Sequence, residues 1–325
     1  ESVRLTDFHV SPVCTPTRAA LMTGKDPVRV GGWATTAGVS MVYNQHVTMA
    51  DIFSRSGYRT AIFGKWHLGD NYPFRPQDRG FDESLIHGGG VIGETPDHWN
   101  NDYYDDVYQR NGVPESVKGY CTDVWFEEAL KFIDRNREGP FFLYLPTNAP
   151  HGPLHVPERY TKAFRDNPEV PASRAYFYGM IASIDENLGR LRSHLSARGI
   201  DRDTIVIFMN DNGTAHGATL KTEGKPDRNG WVAGGFNSGM RGRKGSTFEG
   251  GLRSPCLIRY PHAIRGGTTV TRTAAAIDLL PTLADFAGIE FESPKPLDGV
   301  SIAPLLRGDK GDISSSAIRQ SLSDG

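Results

Sequence analysis

The sequence predicts an α/β fold, with helices on the faces of a sheet, and three observations predict it. Short apolar runs alternate with longer stretches of helical periodicity along the whole chain. The 325 residues are 38% hydrophobic and 10% aromatic, enough to bury a large core. The 37 glycines and 21 prolines are spread evenly, as ordered loops on a globular scaffold would require. The length suits one large α/β domain or two small ones.

Composition also excludes classes. Lysine plus arginine is 36 and aspartate plus glutamate 38, a net charge of −2, so a generally basic nucleic-acid binder is excluded. The three cysteines, Cys14, Cys121 and Cys256, form neither a disulfide framework nor a metal-site spacing, and the last two read as structural. The longest apolar run, near Phe141 to Leu145, is far too short to span a membrane. No internal repeat and no signal peptide is visible.

Taken in order, Leu5 to Val10 reads as a short strand. Thr15-Pro16 then opens a helix, with Thr15 as N-cap and Pro16 at the first helical position, and Gly24 stops it. Thr48 to Asp51 has capping-box spacing for a helix ending near Gly57. Arg59 to Phe63 is strand-like. Thr122 or Asp123 caps a helix with an apolar face of Val124, Ala129, Phe132 and Ile133. Pro140 to Pro146 and Thr204 to Met209 read as buried strands, separated by a long amphipathic helix over Tyr176 to Leu195. Cys256 to Arg259 is a short strand, and Ile277 to Phe286 a helix with Pro281 in its first turn. The loops over about 70–120 and 214–250 are long for a compact domain, which marks them as functional.

Chemistry gathers where strands end. Strand 5–10 runs into Cys14, strand 59–63 into Lys65 and His67, strand 140–146 into Asn148 and His151, and strand 204–209 into Asp211 and Asn212. Sites in open α/β sheets form outside the carboxyl ends of the strands, so four polar clusters at four strand exits point to one site. The helix opening at Cys14 offers free N–H groups to an anion, with Arg18 one turn on.

Cys14-x-Pro16-x-Arg18 followed by Leu21-x-Thr23-Gly24 resembles the signature of the sulfatase family. The resemblance continues through Gly64-Lys65-Trp66-His67, Ala149-Pro150-His151, Asp211-Asn212-Gly213, Lys244-Gly245, Glu249 to Pro255, Asp278 to Thr282 and Leu297-Asp298-Gly299. It covers nearly the whole chain in family order. It implies a large mixed, mostly parallel sheet of the alkaline phosphatase-like type, sandwiched by helices. It also implies that Cys14 is converted to Cα-formylglycine by a maturation enzyme. One hydroxyl of the hydrated aldehyde attacks sulfur to give a covalent sulfo-enzyme, and the second then expels sulfate. On this resemblance Arg18 and Lys65 fix the hydrate and His67 takes its proton. His151 and Lys244 hold the sulfate and one of them protonates the leaving alcohol. Asp211, Asn212 and the modified Cys14 ligate one calcium ion.

The family draws two further metal carboxylates from a strand upstream of the cysteine, and its C-terminal subdomain is longer. Residues 1–325 are therefore read as a single catalytic domain incomplete at both ends. The substrate class expected is a sulfate ester of a carbohydrate or aryl alcohol, in the periplasm or outside the cell. A phosphonate monoester or phosphodiester hydrolase and a catalytically inactive binding module are the competing readings. Asp97 to Asn100, with His98 and Trp99, and separately His216, are candidate substrate contacts. His155 and Trp231 read as loop residues, and Asp78-Arg79-Gly80-Phe81-Asp82 as a structural turn held by an Asp–Arg pair.

Overall fold

The structure is a computed structural model that describes residues 1–36, 38–170, 174–215, 219–220, 232–233 and 238–308. Two short strands, β1 (Val3–Leu5) and β2 (Phe8–His9), replace the single strand expected over 5–10. The carboxylate of Asp7, between them, accepts from Arg253 (2.6 Å) and Thr273, which pins a bend there. Helix α1 (Cys14–Thr23) starts earlier than expected: Val13, extended at φ −143°, is the N-cap and makes no side-chain cap. Thr15 is not the cap because its hydroxyl donates to the carbonyl of His67 (3.1 Å). Cys14 is thus the first helical residue and Pro16 the third.

After α2 (Pro27–Val30), α3 (Met49–Arg55) opens with the capping box expected. Thr48 Oγ1 accepts from Asp51 N (3.1 Å), and the Asp51 carboxylate accepts from Thr48 N (2.8 Å). Strand β3 (Arg59–Lys65) runs two residues past its expected end and leads to β4 (Glu83–His87). Asp78, just before β4, pairs with Arg75 (2.8 Å), whereas Arg79 is buried and donates to the carbonyls of Val42 and His46. The turn is structural, but the Asp–Arg pair expected within it is not formed. A hairpin of β5 (Val107–Arg110) and β6 (Val113–Ser116) follows.

Helix α4 (Cys121–Asn136) is capped by Tyr120, not by Thr122 or Asp123. Asp123 is instead held by Asn187 (2.7 Å) on a neighbouring helix. Then come β7 (Phe141–Tyr144), α5 (Glu158–Arg165), α6 (Ala175–Ala197) and β8 (Val206–Met209). The pair β9 (Thr219–Leu220) and β10 (Val232–Ala233) is antiparallel. The chain continues as α7 (Glu249–Leu252), β11 (Cys256–Arg259), β12 (Thr269–Val270), β13 (Ala274–Ala275), α8 (Leu279–Ala287) and α9 (Ala303–Arg307). Pro281 sits in the first turn of α8, where its missing N–H costs nothing.

The described strands form two larger sheets. One has the order β6-β5-β4-β3-β7, parallel at its centre (β4-β3-β7) and antiparallel at its outer hairpin. The other has the order β12-β1-β11-β8, with β11 antiparallel to both neighbours. Alternate residues of β3 feed opposite cores. Ala61 and Phe63 pack with Trp125 and Phe132 of α4, while Ile62 packs with Ala19 of α1 and Phe53 of α3. This is the sandwich of helices around a mixed sheet that the sequence predicts. The edge strands β7 (Phe-Phe-Leu-Tyr) and β8 (Val-Ile-Phe-Met) are wholly apolar yet only half-buried, not buried as expected. Phe141, Leu143 and Val206 share one cluster with Phe126 of α4 and Leu191 of α6, so a common helical layer lies over both edges. Among the described residues no helix is long and apolar enough to cross a membrane.

Candidate active site

Two close approaches bring the strand exits together. Gly64 lies at φ 123°, and a Cβ there would overlap the carbonyl oxygen of Pro146, just past β7. Only glycine lets the ends of β3 and β7 meet, with Lys65 N donating to Pro146 O (2.7 Å). Gly213, just past β8, packs so closely on Gly250 that any side chain would strike its carbonyl, and Gly213 N donates to Gly251 O (2.9 Å). The third link is Gly245, whose N–H donates to Pro12 O (2.8 Å), two residues before Cys14.

Cys14 is the meeting point. Its buried Sγ lies 3.5 Å from Asn212 Oδ1 and 3.5 Å from Lys244 Nζ. Lys65 stands beside the thiol; burial, and then the Arg18 charge, pulls its ammonium below the usual lysine range. Arg18 is buried and nearly saturated. Its Nε (3.1 Å) and Nη2 (2.6 Å) both donate to Asp211 Oδ2, and Nη1 donates to Lys65 O (2.8 Å) and to the Tyr144 hydroxyl (3.3 Å). Burial opposes the charge on Asp211, but Arg18, Lys65 and Lys244 together hold its carboxyl well below the ordinary carboxylate range. The cluster Arg18, Lys65, Lys244 and Asp211 is net positive, which suits an anionic group at the thiol.

His67 lies two residues past β3 in the left-handed region, at φ 58°. Burial, followed by the charges of Lys65 and Arg18, pushes its imidazole down to about 2, so the ring stays neutral. Its buried Nδ1 has no partner. His151 follows the turn after β7 and sits between the cis peptides Ala149-Pro150 and Gly152-Pro153. Its Nδ1 donates to Gly152 O (2.8 Å), which leaves Nε2 as the acceptor of the ring.

Asp211 and Asn212 are adjacent oxygen donors of the kind a hard divalent cation takes. Asn212 Nδ2 donates to Gly213 O (2.9 Å), which turns Oδ1 toward Cys14. Arg18 occupies Asp211 Oδ2 and leaves Oδ1. The donor chemistry fits calcium, but these side chains supply only part of the six to eight oxygens it takes. The one group of three metal-type side chains among the described residues is Asp7, His9 and Glu249, where Arg253 already pairs with both carboxylates.

The sequence-derived set therefore divides. Cys14, Arg18, Lys65, Lys244, Asp211 and Asn212 are in mutual contact, and His67 stands beside Lys65 and Arg18. His98 and Trp99 are exposed on the loop after β4, and among the described residues no hydrogen bond joins them to the Cys14 cluster. His216 and Trp231 lie outside the described residues. His155 is a loop residue, as expected, donating to Asp102 O (3.0 Å) against the Tyr103 ring. Cys121 and Cys256 are buried free thiols whose deprotonation burial opposes, consistent with structural roles. Sequence reasoning missed Tyr144, which braces Arg18. Its position inside an apolar strand disguised it, although it ends the strand that runs into the His151 turn.

Comparison with known proteins identifies the family. The family model described as Sulfatase matches residues 1–289. N-acetylgalactosamine-6-sulfatase of Rattus norvegicus is 28% identical over 320 residues, covering 92% of this chain and 57% of that protein. The uncharacterized sulfatase YdeN of Escherichia coli K12 is 29% identical over 340 residues, covering 95% and 56%. The chain thus spans little more than half the length of these curated relatives. The crystal structure of Ps i-CgsB in complex with k-i-k-neocarrahexaose superposes with a TM-score of 0.82 at 28% identity, covering 95% of this chain and 69% of that one. With a family match across most of its length, laid over a site whose residues meet as the motifs require, the chain belongs to the sulfatase family.

Proposed function

We propose that this chain carries the catalytic core of a sulfatase that hydrolyses a sulfate monoester on a saccharide. The observation that carries the reading is the Cys14 thiol, enclosed by Lys65, Lys244 and Asn212 and backed by the Arg18–Asp211 pair.

In this reading a maturation enzyme converts Cys14 to formylglycine. The hydrated aldehyde supplies one hydroxyl that attacks sulfur and a second whose deprotonation expels sulfate and regenerates the aldehyde. The remaining steps belong to the surrounding side chains. Lys65 and Arg18 orient the hydrate. Neutral His67, with its unpartnered buried nitrogen, accepts the proton from the second hydroxyl. Lys244 holds a sulfate oxygen, and His151, entering this step as the imidazolium with Nδ1–H on Gly152 O and a second proton on Nε2, hands that second proton to the leaving alcohol. Asp211 and Asn212 would hold calcium, which offsets charge on the sulfate oxygens.

The saccharide is supported by the loop after β4, where Trp99 is 84% exposed beside His98. An indole held in water is an apolar platform for a sugar ring. Two of the three proteins compared carry a saccharide in their names or titles, N-acetylgalactosamine and neocarrahexaose. In this reading the protein works in the periplasm or outside the cell.

The test is sulfate release by the full-length, matured protein from sulfated monosaccharides, against its Cys14→Ala variant and with a phosphonate monoester as competing substrate. The reading expects release by the parent only, at least about 10⁴-fold above the variant. Equal release by Cys14→Ala would sink the mechanism, and preference for the phosphonate would replace the reaction class. Trp99→Ala should raise KM for the sulfated sugar about tenfold and leave 4-nitrophenyl sulfate unaffected.

A further inference from the structure

Both histidines proposed for proton transfer touch one loop, which runs from His87 at the end of β4 to Val107 at the start of β5. The loop is rigidified from within. Asp97 accepts from Gly88 N (3.0 Å), Gly93 N (2.8 Å) and Asn101 Nδ2 (3.0 Å). Asp70 accepts from Gly89 N (2.9 Å), and Glu94 accepts from Gly90 N (2.5 Å) and Val91 N (2.9 Å). Three carboxylates thereby consume every backbone donor from Gly88 to Val91, and charge-assisted bonds of this type are the strong ones.

Gly90 lies flat against His67. A Cβ on Gly90 would stand 2.7 Å and 2.8 Å from the two ring nitrogens, so the imidazole occupies the space a side chain would need. Gly90 is not among the residues of positive φ, so the backbone there accepts any residue and the ring alone bars one. At the far end of the loop, Tyr103 is held at φ 88°, a region that non-glycine residues avoid. Its N–H is taken by Asp106 (3.0 Å), its ring is fully buried, and its hydroxyl donates to the carbonyl of His151 (3.2 Å). A strained tyrosine whose single polar tip reaches the backbone of a site histidine serves that histidine.

We infer that Gly90 and Tyr103 are positioning residues, Gly90 for the ring of His67 and Tyr103 for the backbone of His151, so that one preorganised loop sets both proton-transfer groups. This rests on the sulfatase reading above. A displacement of about 1 Å at a proton-transfer group costs on the order of 10²-fold in rate. Gly90→Ala must displace His67 by at least that much. Tyr103→Phe keeps the buried ring and deletes the bond to His151.

The experiment uses the matured full-length enzyme and a series of aryl sulfates whose leaving phenols differ in acidity. Gly90→Ala is expected to lower kcat about 100-fold across the series, with KM within about threefold of the parent. Tyr103→Phe is expected to lower kcat about tenfold for the least acidic phenols and about twofold for 4-nitrophenol, steepening the leaving-group dependence, because His151 donates the proton there. A merely structural loop would change the unfolding midpoint without changing that slope. Parental kcat and parental slope in Tyr103→Phe, or in a folded Gly90→Ala, overturn the inference. His67→Ala and His151→Ala run alongside separate the two levels. If both abolish turnover while the loop variants do not, positioning alone fails; if neither affects turnover, the sulfatase assignment of these histidines fails first.

Discussion

Arg18 uses four of its N–H groups on Asp211, the Lys65 carbonyl and Tyr144, so it acts as a buried brace as much as a charge. A lysine there keeps the charge and loses the planar fork. Arg18→Lys should therefore lower kcat by about 100-fold or more, from loss of two donors to Asp211 and one to Lys65 O. Steady-state kinetics on the matured enzyme checks this, and a loss under threefold would mean that charge alone matters. Tyr144→Phe removes one charge-assisted hydrogen bond from the same guanidinium, worth about 1.5 kcal/mol or more, and should cost about tenfold. Residues proposed to carry the reaction were legible because their chemistry is unusual after a strand: Cys14, Lys65, His67, His151 and Asp211 all stand at strand exits. Tyr144, Gly90 and Tyr103 were not. A tyrosine in an apolar strand or a glycine in a glycine-rich loop carries no local signal, since its role is fixed by a neighbour distant in sequence.

Secondary structure was legible to the extent that it is local. The Thr48–Asp51 capping box is a four-residue device and formed as read. The starts of α1 and α4 were misplaced because Thr15 and Asp123 spend their polar groups on His67 and Asn187, which no local pattern reveals. The apolar strands β7 and β8 looked like sheet centres, yet each is an edge among the described residues. Two variants separate scaffold from site at this scale. Thr48→Ala loses a cap and should lower stability by about 1–2 kcal/mol while leaving kcat within twofold. Gly64→Ala forces a side chain into a left-handed position against Pro146 and should cost at least about 2 kcal/mol and most of the activity, because it parts the exits of β3 and β7. Urea unfolding beside kinetics reads both; a Gly64→Ala protein with parental stability would contradict the close approach.

At the scale of the whole molecule, the fold class was legible because alternation of strands and helices is a global pattern, while the division into two sheets was not. The buried histidines couple the fold to pH. His67 is pushed down to about 2 and His87 to about 4, chiefly by burial, and His46 is lowered as well, first by burial and then by Lys25. Unfolded histidine titrates near about 6.5. A base with a depressed native value refuses the proton that the unfolded chain takes up. Stability is therefore complete above pH 6.5 and falls as pH drops below it, by up to about 1.4 kcal/mol per pH unit for each such histidine. Urea unfolding at pH 7.5 and pH 5 should show that loss, and equal stability at the two would contradict neutral burial of these rings.

The measurement that tests the central claim most directly is the mass of the Cys14 peptide from full-length protein expressed with a competent maturation enzyme. Replacing the CH2SH group by an aldehyde lowers the mass by about 18 Da, and the account predicts that loss at Cys14 and at neither Cys121 nor Cys256. A Cys14 that remains a thiol under those conditions would contradict the nucleophile on which the proposed hydrolysis depends.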